Sequence, residues 1–263
     1  MTPPKHPFRS RRALVTGASG GIGEALALGL ARAGSDVVLV ARSADRLQAV
    51  AERIRRDHRV RVEVVVADLA TDTGVDEVIA SMAGSRVDVL VANAGVGATG
   101  PFTDTTDERI RTQLALNCTA LTRLVHAFLP GMLERRVGGV MTVGSTASFQ
   151  PTPGMAVYGA TKAFVLSFTE ALWQETRGSG VRVLALCPGP TETGFFAAAG
   201  GGSVMESGRQ SAEQVAAVGL RAFARAGGPT VVPGLGNTVI ANAHRFVPRG
   251  LMARMSAMVT AEH

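Results

Sequence analysis

An α/β fold is predicted, with one doubly wound domain on a central parallel sheet of about seven strands flanked by helices. Three observations predict it. Short β-branched runs alternate with longer helical patterns along the whole chain. The strand runs are rich in valine with no polar alternation, the pattern of strands buried on both faces. No linker, repeat or composition break divides the 263 residues, a length that buries a sizeable core without disulfides or metals.

The elements follow in order. A basic N-terminal extension, residues 1–10, carries Lys5 and Arg9 and leads through Arg11 and Arg12 into a first strand at 13–16. A glycine turn opens a helix at 21–33, and a valine-rich run at 37–41 is the second strand. The helix at 44–58 ends among Arg53, Arg55, Arg56, Arg59 and Arg61, where cations complement the helix macrodipole. Strands at 62–67, 87–92, 140–143, 181–186 and 230–232 alternate with helices at 74–83, 106–135, 158–179 and 212–226. The tail at 237–263 reads as helical, with Met252, Met255 and Met258 on one stripe near arginines. It packs on the domain or on a subunit partner; a basic amphipathic helix lying on a membrane surface is the other reading.

Composition excludes several classes. The 31 glycines are about 12% of the chain against a usual value near 7%, with no collagen-like period, so they mark tight turns and close backbone approaches. The net charge is +6, but the basic clusters read as solvated ends of elements, and no nucleic-acid motif accompanies them. Cys118 and Cys187 lack metal-ligand spacing and the five histidines are scattered, so no metal site is expected and a reduced, cytoplasmic protein is the default. Ser10, Arg11 and Arg12 superficially suggest a twin-arginine signal, but no apolar segment follows, nor is any apolar run long enough to span a bilayer.

In a doubly wound sheet, ligands bind at the carboxyl ends of the strands. After the first strand, Gly17, Ser19, Gly20, Gly21, Ile22 and Gly23 run directly into a helix. Glycine permits the turn and lets backbone N–H groups approach a pyrophosphate at the positive helix end. The spacing is Gly-x3-Gly-x-Gly, so a nucleotide site is supported by its strand-to-helix context, and a structural turn is the alternative. Arg42 ends the second strand, where an arginine can pair with the 2′-phosphate of NADP, while Asp36 lies at the wrong end to bind a ribose 2′-hydroxyl. NADP(H) is therefore preferred over NAD(H), although Arg42 also reads as a solvated loop residue. Asp68, followed by Leu69, stands where an adenine amino group could be bound, and Asn93, Ala94 and Gly95 let the chain pass close to a cofactor. Strand-ending turns explain these residues equally well.

The chemistry-bearing set lies later. Ser145 ends the fifth strand, and thirteen residues on comes Tyr158, followed by Lys162. Residues four apart share a helix face, so the ammonium can stabilise the phenolate and lower a pKa that is ordinarily about 10. Ser145 could hydrogen-bond the substrate oxygen. Tyr158 is also the only tyrosine of the chain, so any tyrosinate titration reports it alone.

Taken together, the glycine turn from Thr16 to Gly23, Asn93-Ala94-Gly95, Ser145, Tyr158-x3-Lys162 and Pro188-Gly189-Pro190 with Thr193 resemble the short-chain dehydrogenase/reductase family. They follow that family's order over roughly residues 10–235, and the resemblance implies a single Rossmann domain. It further implies that Tyr158 is the acid in ketone reduction and the base in alcohol oxidation. Lys162 would tune it and bind the nicotinamide ribose, and Ser145 would orient the substrate. Asn117 would belong to a water-linked proton relay; a polar residue bonded to a helix carbonyl is its plainer reading. Pro188, Gly189, Thr191 and Thr193 would lie beside the nicotinamide and pyrophosphate, and a homodimer or homotetramer is implied.

The expected substrate region joins residues 96–98, 146–155 and 194–203, with Ala147, Phe149, Met155 and Phe195 as contacts. Its lack of lysine and arginine suits a hydrophobic ketone, aldehyde or secondary alcohol. The Ala/Gly run at 197–202 reads as a mobile lid or an idle surface loop. A carbonyl reductase or alcohol dehydrogenase is the leading function, and an NADP(H)-binding regulator without catalysis is the alternative. An epimerase or dehydratase of the longer branch that shares Tyr-x3-Lys is disfavoured by the missing Gly-x-x-Gly-x-x-Gly loop and extra substrate domain.

Overall fold

Valine-rich segments form the centre of the molecule: β1 (Arg12–Thr16), β2 (Asp36–Ala41), β3 (Val62–Val66), β4 (Val89–Ala92), β5 (Gly138–Val143) and β6 (Val181–Leu186). Later in the chain come the short strands β7 (Thr191–Glu192), β8 (Gln210–Ser211) and β9 (Thr230–Val231). The computed structural model describes residues 8–200, 209–225, 227–243 and 245–260. Seven strands pair in parallel in the order β3-β2-β1-β4-β5-β6-β9, and β7 and β8 form a separate two-stranded ribbon.

Successive side chains of each strand point to opposite faces, and both faces are covered except along edge strand β3, where Glu63 and Val66 are exposed. Val37 and Leu39 of β2 join one apolar cluster, and Val38 and Val40 join the other. The first cluster includes residues of α1 (Gly21–Arg32), α2 (Ala44–Asp57) and α8 (Ala212–Arg225), among them Leu26, Ile54 and Phe223. The second includes residues of α3 (Asp72–Ser81), α5 (Leu121–Glu134) and α6 (Ala156–Glu175), among them Val78, Leu124 and Val165. Each large side chain buried in this way contributes roughly 1.5–3 kcal/mol against its exposed state.

The structure differs from the sequence expectation at several points. The helix expected at 106–135 is α4 (Asp107–Leu114), a π-helical turn at Ala115–Ala120 and then α5. A π turn takes in an extra residue without ending the helix, and it carries Asn117 at 1% exposure. The tail consists of α9 (Leu235–Ala243) and α10 (Arg249–Thr260), after the short α7 (Phe195–Ala199) earlier in the chain. The N-terminal lead-in is not wholly solvated: Phe8 is buried and stacks on Phe223, and Arg12 lies within β1 beside Glu63. Residues 1–7 of that extension, residues 201–203 of the expected substrate segment and the Met258 side chain lie outside what is described.

Candidate active site

The carboxyl ends of β1, β2, β4, β5 and β6 open into one cavity of about 820 Å³. Gly17, Ser19, Gly20, Gly21, Ile22 and Gly23 line one part of it, where α1 begins. Gly17 adopts φ +65°, and a methyl group there would meet the Asn93 amide and Ala94. A methyl at Gly23 would collide with the Gly17 carbonyl, whereas one at Gly20 would meet nothing within 4 Å and project into open space. The turn is therefore packed tightly behind and open in front, as a cradle for a ligand at a helix N-terminus requires.

Thr16 and Asn93 hold this turn to the neighbouring strand. The Thr16 hydroxyl accepts from the backbone N–H groups of Asn93 and Ala94 at 3.0 Å each, and Asn93 Nδ2 donates to the Thr16 carbonyl at 2.9 Å. Asn93, Ala94 and Gly95 all line the cavity, but the Asn93 amide is engaged in bracing the glycine turn. Arg42, Asp68 and Leu69 lie at the far end. Asp68 Oδ1 accepts from the Ala70 N–H at 3.0 Å, and Asp68 Oδ2 is 4.0 Å from the exposed Arg42. Arg46 lines the same end and was missed by the sequence reading. Its signal was a cation in the first turn of α2, four residues after Arg42, where the macrodipole disfavours positive charge.

Ser145, Tyr158 and Lys162 converge on one wall. Ser145 caps a 3₁₀ turn at Thr146–Ser148, accepting from the Ala147 N–H at 3.1 Å, and it lines the cavity together with Tyr158. Tyr158 lies in the first turn of α6, which starts two residues earlier than expected. Lys162 is 5% exposed, donates from Nζ to the Val143 carbonyl at 2.8 Å, and lies 5.7 Å from the Tyr158 ring centre. Burial pushes the phenol up to about 12, against the lowering effect of the nearby Ser145 hydroxyl. Burial also brings the ammonium down to about 8, while Cys187 and Cys118 act in the opposite direction. The depressed phenol expected from lysine proximity is thus not found in the free protein, because burial of the pair dominates.

Asn117 stands behind this wall. Its Oδ1 accepts from the Val96 N–H at 2.9 Å, and its Nδ2 donates to the Val96 carbonyl and to Thr161 Oγ1, each at 2.9 Å. Both polar atoms are engaged in anchoring the Gly95-Val96 turn to α6. A methyl at Gly95 would stand 3.2 Å from Asn117 Oδ1 and 3.3 Å from Lys162 Nζ, so that glycine keeps the two groups close.

Pro188, Gly189, Thr191 and Thr193 border the glycine turn and Ser145. The Thr193 side chain packs against Gly21, and the Pro188 carbonyl accepts from the Thr146 N–H at 2.9 Å. Ala147, Met155 and Phe195 line the apolar part, where the Phe195 ring lies 5.2 Å from the Tyr158 ring. Phe149 is a correction: its ring does not line the cavity but packs on Leu166, Ala185 and Cys187, under the turn. Sequence reasoning also missed the roof, to which Asn237, Ile240, Ala243, Met252, Met255 and Ser256 contribute from α9 and α10. The methionine stripe was the available signal, and it read as packing.

Comparison with known proteins accords with this geometry. The profile of the short chain dehydrogenase family matches residues 11–201. The very-long-chain 3-oxoacyl-CoA reductase of Bos taurus is 33% identical over 186 residues, 69% of this chain and 60% of that protein. The chain spans 55% to 60% of the length of the first curated relatives it matches. Among solved structures, a short-chain dehydrogenase from Sphingobium yanoikuyae in complex with NADPH is 36% identical, with a TM-score of 0.84 over 92% of this chain and 95% of that one. The bulky-bulky ketone specific alcohol dehydrogenase from Comamonas testosteroni is 32% identical, with a TM-score of 0.79 over 92% of this chain and 94% of that one. The match over 191 of 263 residues, on a doubly wound sheet, makes the chain a member of the short-chain dehydrogenase/reductase family of oxidoreductases.

Proposed function

We propose that this chain interconverts a hydrophobic ketone or aldehyde and the corresponding secondary alcohol, using NADP(H) in preference to NAD(H). The observation that carries the reading is the convergence of Ser145, Tyr158 and Lys162 on one largely apolar cavity, with Lys162 Nζ 5.7 Å from the Tyr158 ring centre. The cofactor fits the residues present: an open glycine cradle at the start of α1, a glycine at position 95 beside Lys162, and two arginines at the far end.

When bound, the dihydronicotinamide supplies a hydride to the carbonyl carbon. The protein positions the oxygen and manages the proton. Ser145 donates a hydrogen bond to the carbonyl oxygen and holds it against Tyr158. As the carbon accepts the hydride, the phenol proton passes to the oxygen, giving the alcohol and a phenolate. The Lys162 ammonium steadies that phenolate until it recovers a proton from water. A phenol pushed up to about 12 stays protonated at neutral pH, the state reduction needs. With both polar atoms of its side chain engaged, Asn117 could serve a relay only through its main-chain carbonyl in the π turn. The apolar lining of Val96, Met155 and Phe195 favours an uncharged substrate.

The test is NADPH consumption, followed by absorbance, with a panel of hydrophobic ketones. Turnover supports the proposal, whereas cofactor binding with no turnover across a broad panel supports the regulator. Cofactor choice is tested separately. Arg42→Asp should weaken NADPH about 10- to 100-fold, the worth of a charge-assisted hydrogen bond, with little effect on NADH. Equal losses for both cofactors would remove the basis for an NADP(H) preference.

A further inference from the structure

The tail helices α9 and α10 roof the cavity, but their outer surface is apolar as well. Among the described residues, six of the ten well-exposed large hydrophobic side chains fall between residues 235 and 255, so they form a cluster rather than the usual scatter. They are Leu235, Val239, Ile240, Phe246, Leu251 and Met255, with Leu235 88% exposed, Val239 70% and Phe246 87%. Leu235 and Val239 are one turn apart on α9 and share a face.

Charge selects the occupant. Residues 214–261 contain no aspartate or glutamate, while Arg245, Arg249 and Arg254 are interspersed with the apolar residues. All three arginines are exposed, and none makes an ion pair among the described residues. A second copy docked by twofold symmetry would bring like-charged arginines together with no carboxylate in this segment to meet them. A surface that is anionic outside and hydrocarbon beneath complements both features. No helix among the described residues is long and apolar enough to cross a membrane, so the contact is a shallow one.

We propose that α9 and α10 dock this protein on anionic lipid bilayers, with the cavity mouth facing the membrane. Ile240 and Met255 connect the two surfaces, since each is exposed in the patch and also lines the cavity. A substrate dissolved in the bilayer would enter along them. Only that entry route rests on the reductase reading; the docking does not.

The experiment measures co-sedimentation of the full chain with phosphatidylcholine vesicles, with and without phosphatidylglycerol. Binding is expected with phosphatidylglycerol and should weaken as salt is raised. The combined Leu235→Glu, Val239→Glu and Phe246→Glu variant should lose it. The combined Arg245→Gln, Arg249→Gln and Arg254→Gln variant should bind about a hundredfold more weakly. Melting temperature and turnover of a water-soluble ketone should be unchanged in both variants, since none of the six residues lines the cavity. No binding to phosphatidylglycerol vesicles at low salt, or binding that survives both sets of substitutions, would overturn the proposal. So would self-association abolished by the glutamate variant without any vesicle binding, which would assign the patch to a second copy. A chain that bound vesicles but reduced no ketone would refute the proposed reaction and leave the docking standing.

Discussion

Tyr158 and Lys162 are held by burial in states that their sequence spacing does not reveal. The four-residue interval is legible in the sequence and places both on one face of α6. Their burial is not, because it depends on chain segments as distant as Val143 and Phe195. Tyr158→Phe keeps the ring contact with Phe195 and removes only the proton donor. Turnover should fall about 10²- to 10⁴-fold with NADPH affinity unchanged, as measured by steady-state kinetics and fluorescence titration. Retained activity would sink the proton-donor assignment. Lys162 yields a stability prediction of definite sign. Its ammonium titrates near 10.5 unfolded and about 8 folded, so below pH 8 the folded protein carries a buried charge costing on the order of 3 kcal/mol. Between pH 8 and 10.5 the unfolded chain binds more protons, and this contribution makes stability rise with pH. Lys162→Met removes the cost and also the bond to the Val143 carbonyl, leaving a net gain of about 2 kcal/mol at pH 7. The variant should melt several degrees higher than the parent at pH 7, lose the advantage near pH 10 and be inactive. An equal advantage at both pH values would contradict the lowered lysine.

At the scale of elements, the glycine turn separates packing from ligand binding within a few residues. The strand, the turn and α1 were legible because glycine spacing and the return of helical periodicity are both local signals. The π turn that carries Asn117 was not, since nothing in its composition departs from the helix around it. Gly23 lies against the Gly17 carbonyl, so Gly23→Ala must displace backbone. It should destabilise the protein by roughly 1–3 kcal/mol, the cost of overpacking, and weaken nucleotide binding together with stability. Gly20 is extended at φ 169° with nothing within 4 Å of an added methyl, so Gly20→Ala should leave the melting temperature within about a degree. Its methyl occupies the space proposed for the pyrophosphate, and NADPH affinity should fall at least tenfold. Parallel melts and titrations distinguish the two, and a Gly20→Ala protein that bound NADPH normally would place the cofactor elsewhere.

Across the whole molecule, the central sheet was legible because its strands are short apolar, mostly valine-containing runs between helical patterns, whereas the binding cavity is assembled from segments that no local pattern joins. Residues 96–98, 146–155 and 194–203 were expected to meet, and those of the described residues that line the cavity do so beneath a roof from α9 and α10. Phe149 shows the limit of that reasoning: it is hydrophobic and in the right segment, yet the short turn after Ser145 aims it at Leu166 and Cys187. Met252 shows the converse, since the stripe that read as packing also bounds the ligand space. It is 5% exposed and faces a cavity whose 820 Å³ must hold cofactor and substrate together. Met252→Trp adds bulk to the cavity lining contributed by α10. Its larger ring should exclude bulky ketones, raising their KM about tenfold or more, by the one or two kcal/mol that pocket contacts of this size carry. Small ketones should keep their kcat, and NADPH affinity should not change. If large and small ketones lost activity equally, the roof would act on folding or on the cofactor, and substrate size would have to be set by α7 and residues 96–98 alone.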